Sequence, residues 1–249
     1  MAKLKGLLKI EGTLDELTFY KSQDGHLVKT KGGVSANRIA SDPNFQRTRE
    51  NNSEFGSMAQ AGKLLRNVVR TLMMTASDNR VTARLTQLMS VIKNLDTSSA
   101  RGARSVGVGI ADPLGLAQLK DFNFNISAVL SSILYKPYVV TPASGKIDIA
   151  GLVPLNDIAF PAGATHVSIR GAFAVIDFAN NTSEIEYTNV ENLPIDATVT
   201  AVSLIPAAVP AGPGTKLYFL AIEFFQKVNE VQYSMKNGSY NSLSIVEVQ

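Results

Sequence analysis

The chain contains no cysteine and no tryptophan, and only two histidines among its 249 residues. Without thiols there is no disulfide framework, no thiolate zinc site, no iron–sulfur cluster and no cysteine nucleophile. Without tryptophan, a sugar-binding platform loses the best of its aromatic rings. His26 and His166 are far apart, and neither falls in a His-x-x-x-His or Glu-x-x-His arrangement, so no zinc or di-iron site is marked. Each is expected to be a surface or rim histidine. Long hydrophobic runs are missing too. A bilayer span needs about 18 apolar residues or more, and the most apolar region, near Ala201 to Ile222, is interrupted by Pro206, Pro210, Pro213 and Lys216.

The opening MAKLKGLLKIEG starts in the manner of a signal peptide, but Lys9 and Glu11 break its apolar stretch and no small-residue cleavage site follows. The expectation is cytoplasmic synthesis without a signal peptide and without a membrane span. An assembled particle or filament is one destination compatible with that.

The usual patterns of chemistry are also missing. Gly102, Gly107 and Gly109 lie near arginines, as a phosphate cradle would require, yet no Gly-Lys-Ser/Thr follows and the spacing of a dinucleotide turn is absent. A flexible connector explains them better. No Gly-x-Ser-x-Gly elbow occurs. Glu184 and Glu186 alternate onto one face of a strand, where a glycosidase would place two carboxyl groups, but a solvated sheet face accounts for the pair more simply. No residue is assigned a catalytic, cofactor-binding or metal-binding role, and no cofactor is expected.

What is present is a folding chain with an uneven charge distribution. A hydrophobic fraction of 45% against 18% charged residues supports a sizeable core. Residues 1–120 carry 18 basic and 10 acidic residues, while residues 121–249 carry 6 and 11, so the halves are of opposite sign. Opposed ends of this kind allow neighbouring copies to attract one another. Arg66 and Arg70, and likewise Arg80 and Arg84, would share helical faces able to meet phosphates, but no nucleic-acid-binding motif accompanies them. Pairing with carboxylates of the acidic half is the alternative use of such arginines.

Residues 7–31 read as short strands, with Asp24-Gly25 marking a tight hairpin that Gly32-Gly33 ends. Asp42 before Pro43 is a helix start, and Asn51 with Glu54 offers a second one of capping-box type. Met58, Leu65, Val68 and Leu72 then fall on one helical face. After a break at Ser77-Asp78-Asn79, Val81, Leu85, Leu88, Ile92 and Leu95 repeat in steps of four and three. These two helices form an αα-hairpin, whose seam is expected to be intramolecular core, with bundling against another copy as the alternative. Residues 97–120 are rich in Gly, Ser and Ala and read as a linker holding one short strand around Val106 to Ile110. From residue 121 the period is that of strands: FNFNIS, THVSIRGAFAVIDF, SEIEYTNV, ATVTAVSLI, KLYFLAIEFF, EVQYSM and SLSIVEV. Turns are expected at Asn180-Asn181 and Asn237-Gly238, and the prolines fall between or at the edges of the strands.

The expected fold is therefore α+β: an N-terminal β-hairpin and αα-hairpin, followed by an antiparallel, jelly-roll-like β-sandwich. The expected division is a basic region over residues 1–96, a linker over 97–120 and an acidic β domain over 121–249. The block FYKSQDGHLVKTKGGVS, followed by SDPNFQRTRENNSEFG, resembles a family of proteins of unassigned activity from Bacteroidetes-type bacterial genomes and their mobile elements. The likeness covers roughly the first 70 residues. It implies a bacterial or phage-related setting and no site residues. Together these readings lead to a non-catalytic, self-assembling structural subunit of a tube, filament, shell or phage-like virion component, a homo-oligomer whose main partner is itself. The alternative is a non-enzymatic binding module whose β-sandwich recognises a glycan or a protein.

Overall fold

A computed structural model describes residues 2–3, 10–30, 33–235 and 238–249, with side chains from residue 10 onward. The chain divides into two compact units, Met1–Glu50 and Asn51–Gln249.

The first unit holds a four-stranded antiparallel sheet of β1 (Ala2–Lys3), β2 (Gly12–Leu14), β3 (Leu17–Ser22) and β4 (Gly25–Thr30), in the order β1-β4-β3-β2. The expected hairpin joins β3 to β4. Ser22 pairs with Gly25, so the turn itself is Gln23-Asp24, one residue earlier than the Asp-Gly signal suggested. Gly25 sits at φ +107°, a backbone conformation that glycine adopts at no steric cost. Gly32 and the outer residues of the 7–31 stretch lie outside the described residues. A short helix α1 (Ala36–Ser41) follows, capped by Ser35. Asp42 then caps a 3-10 turn over Pro43–Phe45 by accepting the Asn44 N–H at 2.9 Å. The chain passes directly into α2 (Gln46–Val68). Asn51 is thus not a second helix start. The proline-led turn has already begun the helix, and Asn51 lies inside it.

In the second unit α2 continues to Val68 and α3 (Arg70–Met73) extends it. After the expected break, α4 (Val81–Asn94) completes the helix pair. The seam of α4 runs through Val81, Leu85, Met89 and Ile92, so Met89 takes the inner place expected of Leu88. Five strands make the main sheet: β7 (His166–Asp177), β8 (Thr182–Pro194), β10 (Thr215–Val228), β11 (Val231–Ser234) and β12 (Ser242–Val248). Its order is β11-β10-β7-β8, with β12 also on β10. A smaller sheet of β5 (Val139–Thr141), β6 (Lys146–Leu152) and β9 (Thr200–Leu204) runs in the order β5-β6-β9. A bridge from Thr188 to Pro206 links the two, giving a curled, sandwich-like antiparallel arrangement. The fold is α+β, with an N-terminal strand hairpin and a helix pair. The hairpin at Asn180-Asn181 is present, with Asn181 at φ 56°. The turn expected at Asn237-Gly238 includes a residue outside those described.

Alternation along the main sheet decides how the layers stack. Ala172, Ala174 and Ile176 of β7, Leu217 and Phe219 of β10, and Leu243 and Ile245 of β12 form one core with Leu65, Leu85, Met89 and Ile92 of the helices. The alternate residues Phe173, Val175, Tyr218, Leu220, Ile222 and Phe224 form a second core with Ile147, Ile149, Val202 and Leu204 of the small sheet. The main sheet is buried on both faces. The expected boundaries at 96/97 and 120/121 therefore do not separate compact units, because the helix pair covers one face of the sheet.

The stretch read as a linker is structured. It contains α5 (Val106–Gly109) and α6 (Pro113–Leu119), and the strand expected around Val106 to Ile110 is helical. Its glycines serve close packing: a Cβ on Gly109 would lie 2.1 Å from the Ile92 carbonyl oxygen of α4, inside contact distance. Gly109→Ala is expected to lower stability by about 1–3 kcal/mol through overpacking, read as a fall in urea midpoint at unchanged slope. FNFNIS is likewise not a strand of its own. The Asp121 and Phe124 N–H groups donate to Ile245 and Leu243 O at 2.8 Å, which lays this segment along β12 with a single bridge at Asn123. Two further short helices, α7 (Leu130–Ile133) and α8 (Pro154–Asp157), interrupt the strands.

Candidate functional site

The residues singled out for chemistry do not converge. His26 lies on β4 with Nδ1 4.0 Å from Glu11, and His166 opens β7 beside the Thr165 hydroxyl. Glu184 is exposed and accepts the Ala211 N–H at 2.7 Å, which spends it on a loop contact, and Glu186 lies two positions along the same strand. No group of three or more potential metal ligands gathers among the described residues. No described helix is long and apolar enough to cross a membrane.

The basic residues of the helices are divided in use. Arg66 reaches Thr82 Oγ1 at 3.0 Å, tying α2 to α4. Arg84 turns inward, where it pairs with the Asp78 carboxylate, donates to the Asn123 and Phe124 carbonyls and stacks 5.0 Å over Phe122. It is a structural clasp and not part of a phosphate-facing strip. Arg70, Arg80 and Lys63 remain exposed. Lys120 joins the two halves of opposite charge by a 2.7 Å contact to Glu247.

A buried polar knot fixes the segment after α4. Glu54, 6% exposed, accepts a 2.5 Å hydrogen bond from Lys93 Nζ and another from the Gly102 N–H at 2.8 Å, with Arg104 Nε 3.3 Å away. Asp96, 2% exposed, accepts the N–H groups of Ser98, Ser99 and Ser105. The backbone donors that a phosphate would have used near Gly102 are already taken by these two carboxylates. The Lys93 bond holds the Glu54 carboxyl below its ordinary range, aided by the Gly102 N–H. Burial alone would raise the Asp96 carboxyl, but the hydrogen bonds from Ser99, Ser105 and Ser98 outweigh it and drive the group far down. A carboxylate depressed in the folded state stabilises the fold above its unfolded pKa, about 3.9 for Asp and 4.3 for Glu, and that stabilisation is lost as pH falls toward the folded value. The urea midpoint is therefore expected to drop as pH falls below about 4.5. Asp96→Asn should be less stable at pH 7 and show a shallower acid dependence; an unchanged acid slope would remove Asp96 from this role.

The first unit poses a different problem. Among its described residues Leu27, at 9% exposed, is the one buried hydrophobic side chain. Ile10, Leu14, Leu17 and Val34 are between 40% and 64% exposed. A β-sheet is stable when at least one face is covered by another layer, and the described residues of this unit bury little apolar surface toward one. Among the described residues β2 is an edge strand with no neighbour on its outer side, the usual template for a further strand.

A concavity of about 660 Å³ is lined in part by Asp121, Asn123, Leu134, Tyr135, Lys136 and Tyr138. Two of its polar groups are engaged. Asn123 donates to the Asp121 carbonyl and accepts from the Leu130 N–H, and Lys136 faces Asp157 at 3.7 Å.

The fold thus defines an α+β chain with a doubly covered antiparallel sheet and an N-terminal sheet whose described residues include a single buried hydrophobic side chain. Comparison with protein-family models, with curated proteins and with solved structures finds no match to it.

Proposed function

We propose that the protein is a non-catalytic, self-assembling structural subunit whose N-terminal sheet docks on another copy of the chain. The observation that carries this reading is how little apolar surface the described residues of this unit bury. Four antiparallel strands with a single buried hydrophobic residue among those described gain little from apolar burial against the conformational entropy of ordering them, and a second layer would add to it. Charge favours a second copy as that layer. The first unit carries 9 basic and 6 acidic residues, whereas residues 121–249 carry 6 and 11. Head-to-tail contact of two different surfaces generates rings or open filaments, which suits a tube, filament, shell or phage-like virion component. The resemblance of the N-terminal block supports a bacterial or phage-related setting for it.

The test is the solution mass by light scattering at low and high salt, with negative-stain microscopy of the same samples. Uniform particles or fibres well above 26.7 kDa are expected, loosened by salt as opposed charges are screened. Leu14→Lys with Leu17→Lys alters only exposed positions, and should return the protein to its monomer mass without changing its circular dichroism. A monomer at micromolar concentration under both salt conditions would overturn the reading. A second reading, the β region as a binding module, is favoured by one observation, a groove in the main sheet lined by Arg170.

A further inference from the structure

The helix-facing side of the main sheet changes character along its length. Over Ala172, Ala174 and Ile176 of β7 it is apolar and lies under the helix pair. Two residues earlier the same face continues as Arg170 and Ser168. On the neighbouring strand Ala221 pairs with Arg170 and Glu223 pairs with Ser168, so β10 contributes Glu223 to the same polar stretch. From β8 comes Asn192, opposite Ser168. Thr71, Leu72, Thr75 and Ala76, in and just after α3, close one side. The result is a groove of about 360 Å³, within the usual range for small-molecule sites.

Its two charges are not spent on each other. The Arg170 guanidinium lies 4.3 Å over the Tyr187 ring, brought there by a register shift of β8 between its pairings with Arg170 and Ala172. Arg170 Nε is buried without a hydrogen-bond partner, and no ion pair among the described residues involves this arginine. Guanidinium groups removed from water ordinarily find a carboxylate or phosphate, because their planar fork matches it. Glu223 Oε1 accepts the Ser234 hydroxyl at 2.8 Å, a neutral partner that leaves its charge uncompensated. The two residues are diagonal neighbours across β7 and β10, a relation that sets their backbones about 7–8 Å apart. Ser168 donates its hydroxyl to Asn192 Oδ1, which leaves the Asn192 amide nitrogen as a donor at the rim. Leu72, Ala76, Val190 and Ala221 supply apolar wall.

We propose that this groove binds a free α-amino acid with an apolar side chain, its carboxylate on Arg170 and its ammonium on Glu223. A zwitterion satisfies both charges at once and adds no net charge to the site. Inorganic phosphate would meet the Glu223 carboxylate as a like charge and is disfavoured. The apolar wall receives the side chain, and the stacked guanidinium is held in place before the ligand arrives, so little side-chain entropy is lost on binding. This site goes beyond the assembly reading and does not depend on it, since every residue involved belongs to the second unit.

The experiment is isothermal titration calorimetry of the full chain at pH 7 with four probes: L-leucine, N-acetyl-L-leucine, L-leucinamide and inorganic phosphate. Leucine should bind saturably, and the acetylated and amidated analogues about tenfold more weakly or worse, since each leaves one charge of the groove unpaired. Arg170→Met should abolish leucine binding, and Arg170→Lys, a milder change, should weaken it about tenfold by removing the fork. Glu223→Gln should bring leucine down to the affinity of its acetylated form. Circular dichroism of each variant separates lost binding from lost fold. The proposal is overturned by absence of saturable leucine binding at millimolar concentration, by phosphate binding as well as leucine does, or by folded Arg170 variants that bind leucine unchanged. Because heat of binding is read directly, the outcome is independent of whether the chain assembles.

Discussion

Lys93→Met is expected to lower the stability of the protein by about 3–5 kcal/mol, the usual result of removing one member of a buried ion pair. Lys93 is 7% exposed and its ammonium lies on the Glu54 carboxylate, which is itself buried. Methionine replaces the stem of the lysine with little change of shape, so the loss is that of the charge and its hydrogen bond, not of packing. What remains is a carboxylate inside the protein, held by the Gly102 N–H and by Arg104 at 3.3 Å. The sign reverses when both partners go. Glu54→Leu with Lys93→Met leaves only Arg104 without its partner, a side chain 31% exposed and so reached by water, and this double variant is expected to recover most of the loss, since buried pairs barely outweigh their own desolvation. The residual deficit belongs to Gly102, whose N–H loses its acceptor, at about 1–3 kcal/mol. Equilibrium urea unfolding of the four proteins of this cycle gives the coupling directly. A single variant as stable as the parent would mean that the pair is solvated in solution.

The second large effect lies in the main sheet. Phe173→Ala and Phe219→Ala should each remove about 3–5 kcal/mol, from opposite faces of the same sheet. Phe219, fully buried, packs on the helix side near Phe124, with ring centroids 6.2 Å apart. Phe173 is on the other side, stacked 4.5 Å from Tyr218, whose hydroxyl donates to the Pro142 carbonyl at 2.7 Å. Burial pushes the Tyr218 phenol up to about 12, so that bond survives through the whole neutral and moderately alkaline range. If the two cores were independent domains, each substitution would lower one of two separate transitions. Because one sheet serves both, a single cooperative transition is expected to move for either variant, and the double variant should not fold, since domain stabilities are about 5–15 kcal/mol in all. Two resolved transitions by calorimetry would contradict the shared-sheet account.

Local signals were read well from the sequence where they are properties of the residues themselves. The Asp-Gly and Asn-Asn turns, the break at Asp78 and the proline punctuation all mark elements that exist. The larger misreadings share a cause: the structure that replaced the expected one is held by distant residues. The Gly-rich stretch of residues 97–120 has weak helical propensity, yet folds as α5 and α6 because Gly109 fits against Ile92. Glu54 read as half of a capping box, but its use depends on Lys93, 39 positions away. β7 reads as a nearly unbroken apolar run, the mark of a strand buried on both faces, a signal that the expected division into helical and β regions did not use. Arg170 carried no signal, since its groove arises from the register of β7 against β8 and β10, which no local pattern records.

The joint burial of the main sheet also has a temporal side. Leu65 and Leu85 share their core with Leu243 and Ile245 of β12, residues made well over a hundred positions later. At about 5–20 residues per second of synthesis, the helix pair leaves the ribosome roughly ten to thirty seconds before the strand that covers it. During that interval its apolar seam is open to any other nascent helix pair of the same kind. Neighbouring ribosomes on one message hold such chains close together, so the protein's native core and its first opportunity for mispairing are built from the same residues.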